Sequence, residues 1–138
     1  YVFPNSKAKF IVKTAQRLYK SLETQIYFIL IDSGNEFDAR NELSNIAYGI
    51  GLKQASLFLR NIGFAKNLAI LDSHVIRYLL LKKLVEIENQ RTLNKSSYLS
   101  IESILQDYAK SVKKDLSKLD FAIWTVMRLV QKEFVLWA

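Results

Sequence analysis

The sequence predicts an all-α fold, a compact bundle of about seven helices, on three observations. Half of the 138 residues are hydrophobic, which is enough to form a core. The chain has only four glycines and one proline, whereas sandwiches and barrels need many turn residues. Apolar residues recur three and four positions apart along most of its length, the spacing of helices that pack against one another.

Each helix is predicted from this spacing and from the residues that start or end it. Asn5 and Ser6 are suited to cap the first helix, and Asp72 fits the N-cap of the fifth. The first predicted helix follows Asn5 and Ser6 and extends to Leu22, and the others cover residues 23–31, 36–46, 52–62, 73–88, 98–113 and 117–132. Turns or loops are predicted at residues 32–35, 63–71 and 89–97. The buried side of the fourth helix is predicted to comprise Ala55, Leu57, Phe58 and Leu59.

Composition narrows the classes of function. A net charge of +7 suits a polyanionic partner such as nucleic acid. The absence of cysteine excludes disulfides, thiol catalysis and cysteine-ligated zinc or iron–sulfur clusters within this sequence, and the lone His74 cannot build a histidine metal site. The longest apolar run, residues 26–31, is too short to span a bilayer. Because the chain begins at Tyr1 and helical patterning follows at once, we expect a preceding segment.

The segment around Gly49 and Gly51 is the most informative motif. Both glycines lie between the third and fourth predicted helices, and Lys53 follows two residues later. A residue without a Cβ permits left-handed backbone and close approach of another backbone. Free N–H groups at the start of a helix favour a phosphate, independently of base sequence. An isolated Gly-x-Gly is more often only a tight turn between packed helices, so the motif gains weight from its context.

Lys53 and Asp72 are the candidate chemical groups. Lys53 lies in the first turn of a helix, where the helix dipole disfavours its positive charge, and a neutral lysine amine is a nucleophile. Asp72 at a helix start would be held still by its capping bonds and could stabilise a cationic transition state or help deprotonate the lysine. His74 could donate to a phosphate from the same helix end. Without this context, Lys53 would be an ordinary solvated lysine and His74 a structural residue.

Two further groups are candidates for nucleic-acid contact. Asp120 and Trp124 are four residues apart on one helix, so they share a face, and an aromatic plane beside a hydrogen-bond acceptor could hold a flipped base. From spacing alone, a core tryptophan and a surface acid are the more frequent pair. Arg60, Lys66 and Arg77 would add attraction to a phosphate backbone, with a solvated face as an equal alternative.

Together these residues resemble the helix-hairpin-helix DNA glycosylase superfamily, whose mark is a glycine-bearing hairpin followed by a catalytic aspartate. A lysine at position 53 is similar to the bifunctional members, which remove a base and then cut the strand. Two segments resemble the archaeal-type 8-oxoguanine DNA glycosylase/AP lyases: residues 49–61, GIGLKQASLFLRN, and residues 69–74, AILDSH. The similarity extends more loosely to residues 1–12 and 120–124.

The resemblance implies one glycosylase domain over residues 1–138, without part of its N-terminal region, and a hairpin motif at about residues 36–62. It implies two lobes with the active site between them. Lys53 would attack C1′ of the damaged nucleotide, and Asp72 would be the essential carboxylate. The other implied contacts are to the DNA backbone, from Gly49, Gly51, His74 and Arg77, and to the extruded base, from Phe10, Asp120 and Trp124.

The resemblance further implies duplex DNA with a damaged base as the partner, a monomer without membrane association, and a prokaryotic cytoplasmic location with the nucleoid. No cofactor and no metal ligand are expected, although a monovalent cation at the hairpin carbonyls is compatible with the superfamily. Two other functions remain open. The same mechanism could act on another oxidised base, or the chain could be a non-catalytic helix-hairpin-helix module that binds DNA by charge alone.

Overall fold

The computed structural model describes residues 4–19, 25–86 and 93–133, with Gln25 and the last three described by backbone alone. Within these ranges the fold is all-α, with seven helices and no strand, as predicted. In chain order they are α1 Pro4–Leu18, α2 Gln25–Asp32, α3 Glu36–Ile46, α4 Leu52–Asn61, α5 Ser73–Leu81, α6 Lys95–Ser111 and α7 Leu116–Glu133. None of these helices is both long enough and apolar enough to span a membrane.

The chain forms two compact units, which confirms the expectation of two lobes. The first unit, residues 1–65, contains α1 to α4, with α3 packed mainly on α4 and also on α2 and α1. Its buried apolar residues are Leu18, Ile29, Ala39, Leu43, Ala47, Ala55, Leu59 and Ala65.

The second unit, residues 66–138, contains α5, α6 and α7, and α7 packs on both other helices. Its main apolar residues in the interior are Leu68, Val75, Leu79, Leu105, Ile123 and Met127. Burial of this kind contributes roughly 25 cal/mol per Å² of apolar surface and is the main stabilising term of each unit.

Side chains cap the N-termini of three helices, α3, α5 and α6, by hydrogen bonds to backbone N–H groups. Asn35 accepts hydrogen bonds from the N–H groups of Phe37 and Asp38 at the start of α3. Asn94 accepts one from Ser97 at the start of α6. These bonds satisfy backbone donors that have no partner within the helix, and each cap stabilises its helix by about 1 kcal/mol. The third cap, at α5, belongs to the candidate site.

Several predicted boundaries were wrong. The first helix already includes Pro4, so Asn5 and Ser6 lie inside it and do not cap its start. The first helix ends at Leu18, before its predicted end at residue 22. Residues 20–24, which include that predicted end and the predicted start of the second helix, lie outside the described residues. The sixth helix begins at Lys95, three residues before the predicted start, because Asn94 supplies its cap. Residues 87–92 of the predicted helix end and loop also lie outside the described part.

The fifth and sixth helices end earlier than predicted because a lysine adopts left-handed backbone just beyond each end. Lys83 has φ +55° and Lys113 has φ +54°. Near Lys83, the N–H of Leu84 bonds back to the carbonyl of Leu79, the closing pattern of a helix C-terminus. Glycine or asparagine usually marks such a stop, so lysine gave no signal of it in the sequence.

The buried side of α4 also differs from the prediction. Ala55 and Leu59 are buried as predicted, but Leu57 and Phe58 are exposed, and Ser56 is fully buried in their place. Residues 55, 56 and 59 lie on one face of a helix with 3.6 residues per turn, whereas 57 and 58 point away from that face.

Candidate functional site

The candidate site residues fall in both units, and each group is described within its own unit. The first group surrounds residues 47–51, which connect α3 to α4 and are called the hairpin turn. The N–H of Ile50 bonds to the carbonyl of Ala47 at 3.3 Å and closes this turn. Gly49 has φ +72°, in the region that residues with a side chain rarely adopt.

Gly51 plays a different part from Gly49. Its φ is −88° and its ψ −179°, which is extended backbone that any residue can adopt. It is the N-cap of α4 and offers no side-chain bond to the first N–H groups of that helix. Because α3, α5 and α6 all have such a bond, the start of α4 differs from theirs in leaving its first amides to another acceptor. A phosphate is a suitable acceptor.

Lys53 is the second residue of α4 and is partly buried. Its place in the first turn was predicted from the sequence and is confirmed by the helix boundary. Since the positive end of the helix dipole lies here, the local field opposes the ammonium charge. A lysine amine at this position is a candidate nucleophile.

Helix α1 supports the hairpin turn through contacts that the sequence did not reveal. The hydroxyl oxygen of Thr14 accepts a hydrogen bond from the N–H of Tyr48 at 2.9 Å. The guanidinium of Arg17 lies 4.8 Å from the centre of the Tyr48 ring and donates at 3.4 Å to the carbonyls of Asn45 and Ile46. These carbonyls are at the end of α3, where a cation is favoured by the helix dipole.

Phe10, a predicted base-binding residue, contacts the hairpin turn directly. A Cβ built on Gly49 would lie 2.5 Å from Cδ2 of the Phe10 ring, so the ring occupies the space that glycine leaves open. Both residues also line an apolar cleft of about 430 Å³ between α1 and the turn. The structure thus brings together one residue predicted to touch the base and one predicted to touch the DNA backbone.

The second group of candidates is in the second unit, at the start of α5. Asp72 is the N-cap of this helix, as predicted, and its Oδ1 accepts the N–H groups of His74 and Val75, both at 2.9 Å. Both of these bonds end on Oδ1, and neither uses Oδ2. The carboxylate is therefore held in one orientation by the helix that it caps.

His74 and Trp124 lie together beside this cap. Their ring centroids are 6.3 Å apart with perpendicular planes, an edge-to-face arrangement. Trp124 also stacks on Phe121, with ring centroids 6.1 Å apart, and the Arg128 guanidinium lies 4.9 Å from the centre of its ring. Trp124 is only partly buried, so the expectation from spacing alone, a core tryptophan, was wrong.

Asp120 is buried, with 3% of its surface exposed, so the alternative of a surface acid was also wrong. Its Oδ2 accepts the N–H of Ile70 at 3.1 Å. Ile70 belongs to residues 66–71, the segment of the second unit that precedes Asp72 and is called the connector. The predicted contact of Asp120 with a base therefore stays a prediction, alongside this structural bond. Arg77, predicted to contact the DNA backbone, lies on α5 one turn after the cap and is partly exposed.

Among the described residues, no group of three or more acidic or histidine side chains is placed to hold a metal ion. The groups present at the candidate positions are an amine near oriented backbone amides, a fixed carboxylate, and aromatic rings with exposed surface. An amine that can attack and a carboxylate that can stabilise a cation are the groups that a lyase-type glycosylase needs.

Comparison with known proteins also points to a DNA glycosylase with lyase activity. The family model described as 8-oxoguanine DNA glycosylase matches residues 1–114, a range that includes Lys53 and Asp72 but ends before Asp120 and Trp124. An 8-oxoguanine DNA glycosylase/AP lyase of Saccharolobus islandicus is 40% identical over 124 residues, covering 90% of this chain and 58% of the relative. One from Fusobacterium nucleatum is 34% identical, covering 88% and 56%.

The fold agrees with a solved structure as well. The Methanocaldococcus jannaschii 8-oxoguanine glycosylase/lyase, in complex with a 15mer DNA containing 8-oxoguanine, superposes with a TM-score of 0.73 at 37% identity. The match covers 87% of this chain and 54% of that structure. The chain thus spans a little over half the length of the proteins it matches. On the family match and these identities, the chain belongs to the 8-oxoguanine DNA glycosylase family.

Proposed function

We propose that this chain removes 8-oxoguanine from duplex DNA and then cuts the strand at the resulting site, as a bifunctional DNA glycosylase and AP lyase in base-excision repair. One observation carries the proposal. The family match contains both an amine in the first turn of α4, Lys53, and a carboxylate locked at the start of α5, Asp72. Binding a DNA backbone by charge alone would need neither group.

The first step is attack on the sugar. The unprotonated Nζ of Lys53 forms a bond to C1′ of the damaged nucleotide while the bond from C1′ to the base breaks, and the base leaves with the bonding electrons and takes up a proton. Asp72 stabilises the positive charge that develops on the sugar. Its two bonds from backbone N–H groups keep the carboxylate in place during this step, so no reorientation is needed.

The second step cuts the strand. The attacking nitrogen loses a proton, the bond from C1′ to O4′ breaks as O4′ takes up a proton, and a protonated Schiff base forms between C1′ and Lys53. Loss of a C2′ proton then breaks the bond from C3′ to its phosphate oxygen, and the phosphate leaves with the bonding electrons. The electrons released at C2′ are stabilised by the protonated Schiff base. The Schiff base is also the species that a reducing agent can trap, which makes the mechanism testable.

Other residues supply binding. The uncapped amides at the start of α4, with Gly49 and Gly51, and the side chains of His74 and Arg77 would hold the phosphates beside the lesion. Phe10 and Trp124 would enclose the extruded base, with Asp120 as a hydrogen-bond acceptor. Phe10 is 40% exposed and Trp124 is partly buried, so each keeps aromatic surface for such stacking.

The proposed partner is duplex DNA with a damaged base, bound by a monomer without a cofactor or membrane association in the prokaryotic cytoplasm. A monovalent cation at the carbonyls of the hairpin turn would add to phosphate binding there. The net charge of +7 supports a polyanionic partner.

Borohydride trapping tests the proposal. Wild-type protein is incubated with duplexes that contain 8-oxoguanine, an abasic site or no lesion, and a covalent adduct is sought after reduction. We expect an adduct on the 8-oxoguanine duplex that Lys53→Gln abolishes and that Lys118→Gln, which alters an exposed lysine on α7, retains. Trapping only at the abasic site would show that the protein cuts the strand but removes a base other than 8-oxoguanine. DNA binding with no adduct on any duplex would assign a binding module.

A further inference from the structure

The connector before Asp72 is held at residues 69 and 70 by three side chains, and the proposed mechanism gives no part to two of them, Glu102 and Tyr98. Oε1 of Glu102 accepts the N–H of Ala69 at 2.8 Å, and the hydroxyl of Tyr98 donates to the carbonyl of Ala69 at 2.7 Å. Both are buried contacts. Asp120 accepts the N–H of the next residue, Ile70, at 3.1 Å.

These three bonds fix two consecutive peptide planes. The Ala69 N–H belongs to the peptide between residues 68 and 69, and the Ala69 carbonyl and Ile70 N–H belong to the next one. Because each peptide is planar, fixing two neighbouring planes fixes the φ and ψ of Ala69 between them. The Ile70 carbonyl then accepts the N–H of Asp72 at 2.9 Å, so the fixed segment leads directly to the backbone of that residue.

The side chains come mainly from one stripe of α6. Tyr98, Glu102 and Gln106 are four residues apart in turn, so they lie on the same face of the helix. Nε2 of Gln106 donates to the carbonyl of Asn67 at 3.0 Å and extends the support to the start of the connector. The set Tyr98, Glu102 and Gln106 is called the α6 stripe.

A buried acid in this stripe calls for a reason beyond stability. Glu102 has only 2% of its surface exposed, and burying a carboxylate is costly unless it is well hydrogen-bonded. Cores of similar volume can be built from apolar residues with equal or greater stability. What an apolar residue cannot do is accept the N–H of Ala69 and so hold the connector in one conformation.

We propose that Glu102 is a positioning residue for Asp72: it holds the Ala69 peptide, and through the connector sets where the carboxylate stands during base removal. Asp72 is thus fixed from both sides, by the connector before it and by its own capping bonds after it. This inference rests on the proposed function for its catalytic consequence, while its structural part is independent of that function.

The test compares two variants of Glu102. Glu102→Leu removes the acceptor and keeps an apolar side chain of similar size, whereas Glu102→Gln keeps the Oε1 acceptor. Asp107→Leu, at an exposed acid on the same helix paired with Lys110, is the matched control for loss of charge. The measurements are the single-turnover rate of base release, affinity for the lesion duplex, and backbone amide exchange at Ala69, His74 and Val75.

We expect Glu102→Leu to slow base release by about 100-fold with unchanged duplex affinity, since a displacement of about 1 Å in a catalytic group has an effect of this order. Glu102→Gln and Asp107→Leu should keep a rate near that of the wild type. Exchange at the three amides should be faster in Glu102→Leu than in either other variant.

Three results would overturn the proposal: a folded Glu102→Leu that releases base at the wild-type rate, an equal loss of rate in Asp107→Leu, or unchanged exchange at His74 and Val75. If Glu102→Leu does not fold, Tyr98→Phe removes the bond to the Ala69 carbonyl and should change rate and exchange in the same direction. If the wild type releases no base, the proposed function fails, while the exchange at His74 and Val75 still decides the positioning role.

Discussion

The Phe10 ring occupies the space that a side chain at Gly49 would need. The ring's Cδ2 lies 2.5 Å from the position of a Cβ on that residue, closer than real side chains approach. Glycine is therefore needed at position 49 for two reasons: its φ of +72° and the Phe10 ring beside it. The contact ties a helix near the start of the chain to the turn that begins the helix of Lys53.

Alanine substitutions at three glycines should show how much the positive φ and the clash with Phe10 each cost in stability. Gly34 has open space around it and no positive φ, Gly63 has open space and φ +76°, and Gly49 has both the positive φ and the clash. Replacement by alanine should cost below about 0.5 kcal/mol at Gly34. At Gly63 it should cost about 1–2 kcal/mol for the left-handed backbone, and at Gly49 roughly 2–4 kcal/mol because overpacking adds to it.

Denaturant unfolding of each variant measures these costs. Adding Phe10→Ala to Gly49→Ala should recover the part that is due to the clash, in a double-mutant cycle. Equal costs at Gly49 and Gly63, with no coupling to Phe10, would show that only the backbone angle matters.

Substitutions of Asp72 should separate its structural role from its chemical role. Asparagine caps a helix as well as aspartate does, so Asp72→Asn should unfold at nearly the wild-type denaturant concentration and yet lose base release. Asp72→Ala should lose base release and in addition about 1 kcal/mol of stability.

Asn94→Ala is the matched control, because Asn94 caps α6 through Ser97 and has no proposed part in the chemistry. It should lose a similar stability and keep base release. Base release by Asp72→Asn at the wild-type rate would leave Asp72 with the capping role alone.

Trp124 should contribute to binding of the extruded base. If the partly buried indole stacks on that base, Trp124→Ala should weaken affinity for the lesion duplex by about 1–3 kcal/mol and leave affinity for undamaged duplex nearly unchanged. Fluorescence anisotropy of labelled duplexes at one fixed salt concentration measures both affinities. Tyr27→Ala, which removes an exposed aromatic ring on α2, should change neither. Equal affinity of folded Trp124→Ala for the lesion would contradict the stacking role.

The pair Tyr78 and Tyr108 should make stability fall at alkaline pH. Burial, and then the hydrogen bond and the charge of Tyr108, raise the pKa of Tyr78 from 10.0 to about 12. The two hydroxyl oxygens are 3.0 Å apart. Since the folded state favours the protonated phenol, the resulting stability is fully present below pH 10 and is lost as the pH rises toward 12.

Thermal unfolding between pH 9 and pH 12, together with the absorbance of tyrosinate, measures this loss. Tyr78→Phe should remove the part of the pH dependence that comes from the pair, whereas Tyr19→Phe, at an exposed tyrosine, should not. An unchanged slope of stability with pH in Tyr78→Phe would contradict the assignment.

Predictions from the sequence succeeded where short-range chemistry decides the structure. The third helix has the predicted bounds, Glu36–Ile46, because Asn35 and the apolar spacing act within a few residues. Asp72 caps α5 for the same reason, and Lys53 is in the first turn of α4 because Gly51, two residues earlier, is the N-cap of that helix. The ends of α5 and α6 were predicted wrongly. Lys83 and Lys113 have left-handed backbone just beyond these ends, and a residue type other than glycine is a poor signal of such a turn.

By itself, the sequence determined the helical class, the hairpin with its lysine, and the capping aspartate, since each depends on residues close together in the chain. Only the tertiary structure decided what supports them. Phe10 against Gly49, Arg17 over Tyr48, and Glu102 on the Ala69 N–H join residues about 30 or more positions apart. No local pattern specifies such pairs, because the partner of a buried polar or aromatic group is set by how the helices pack.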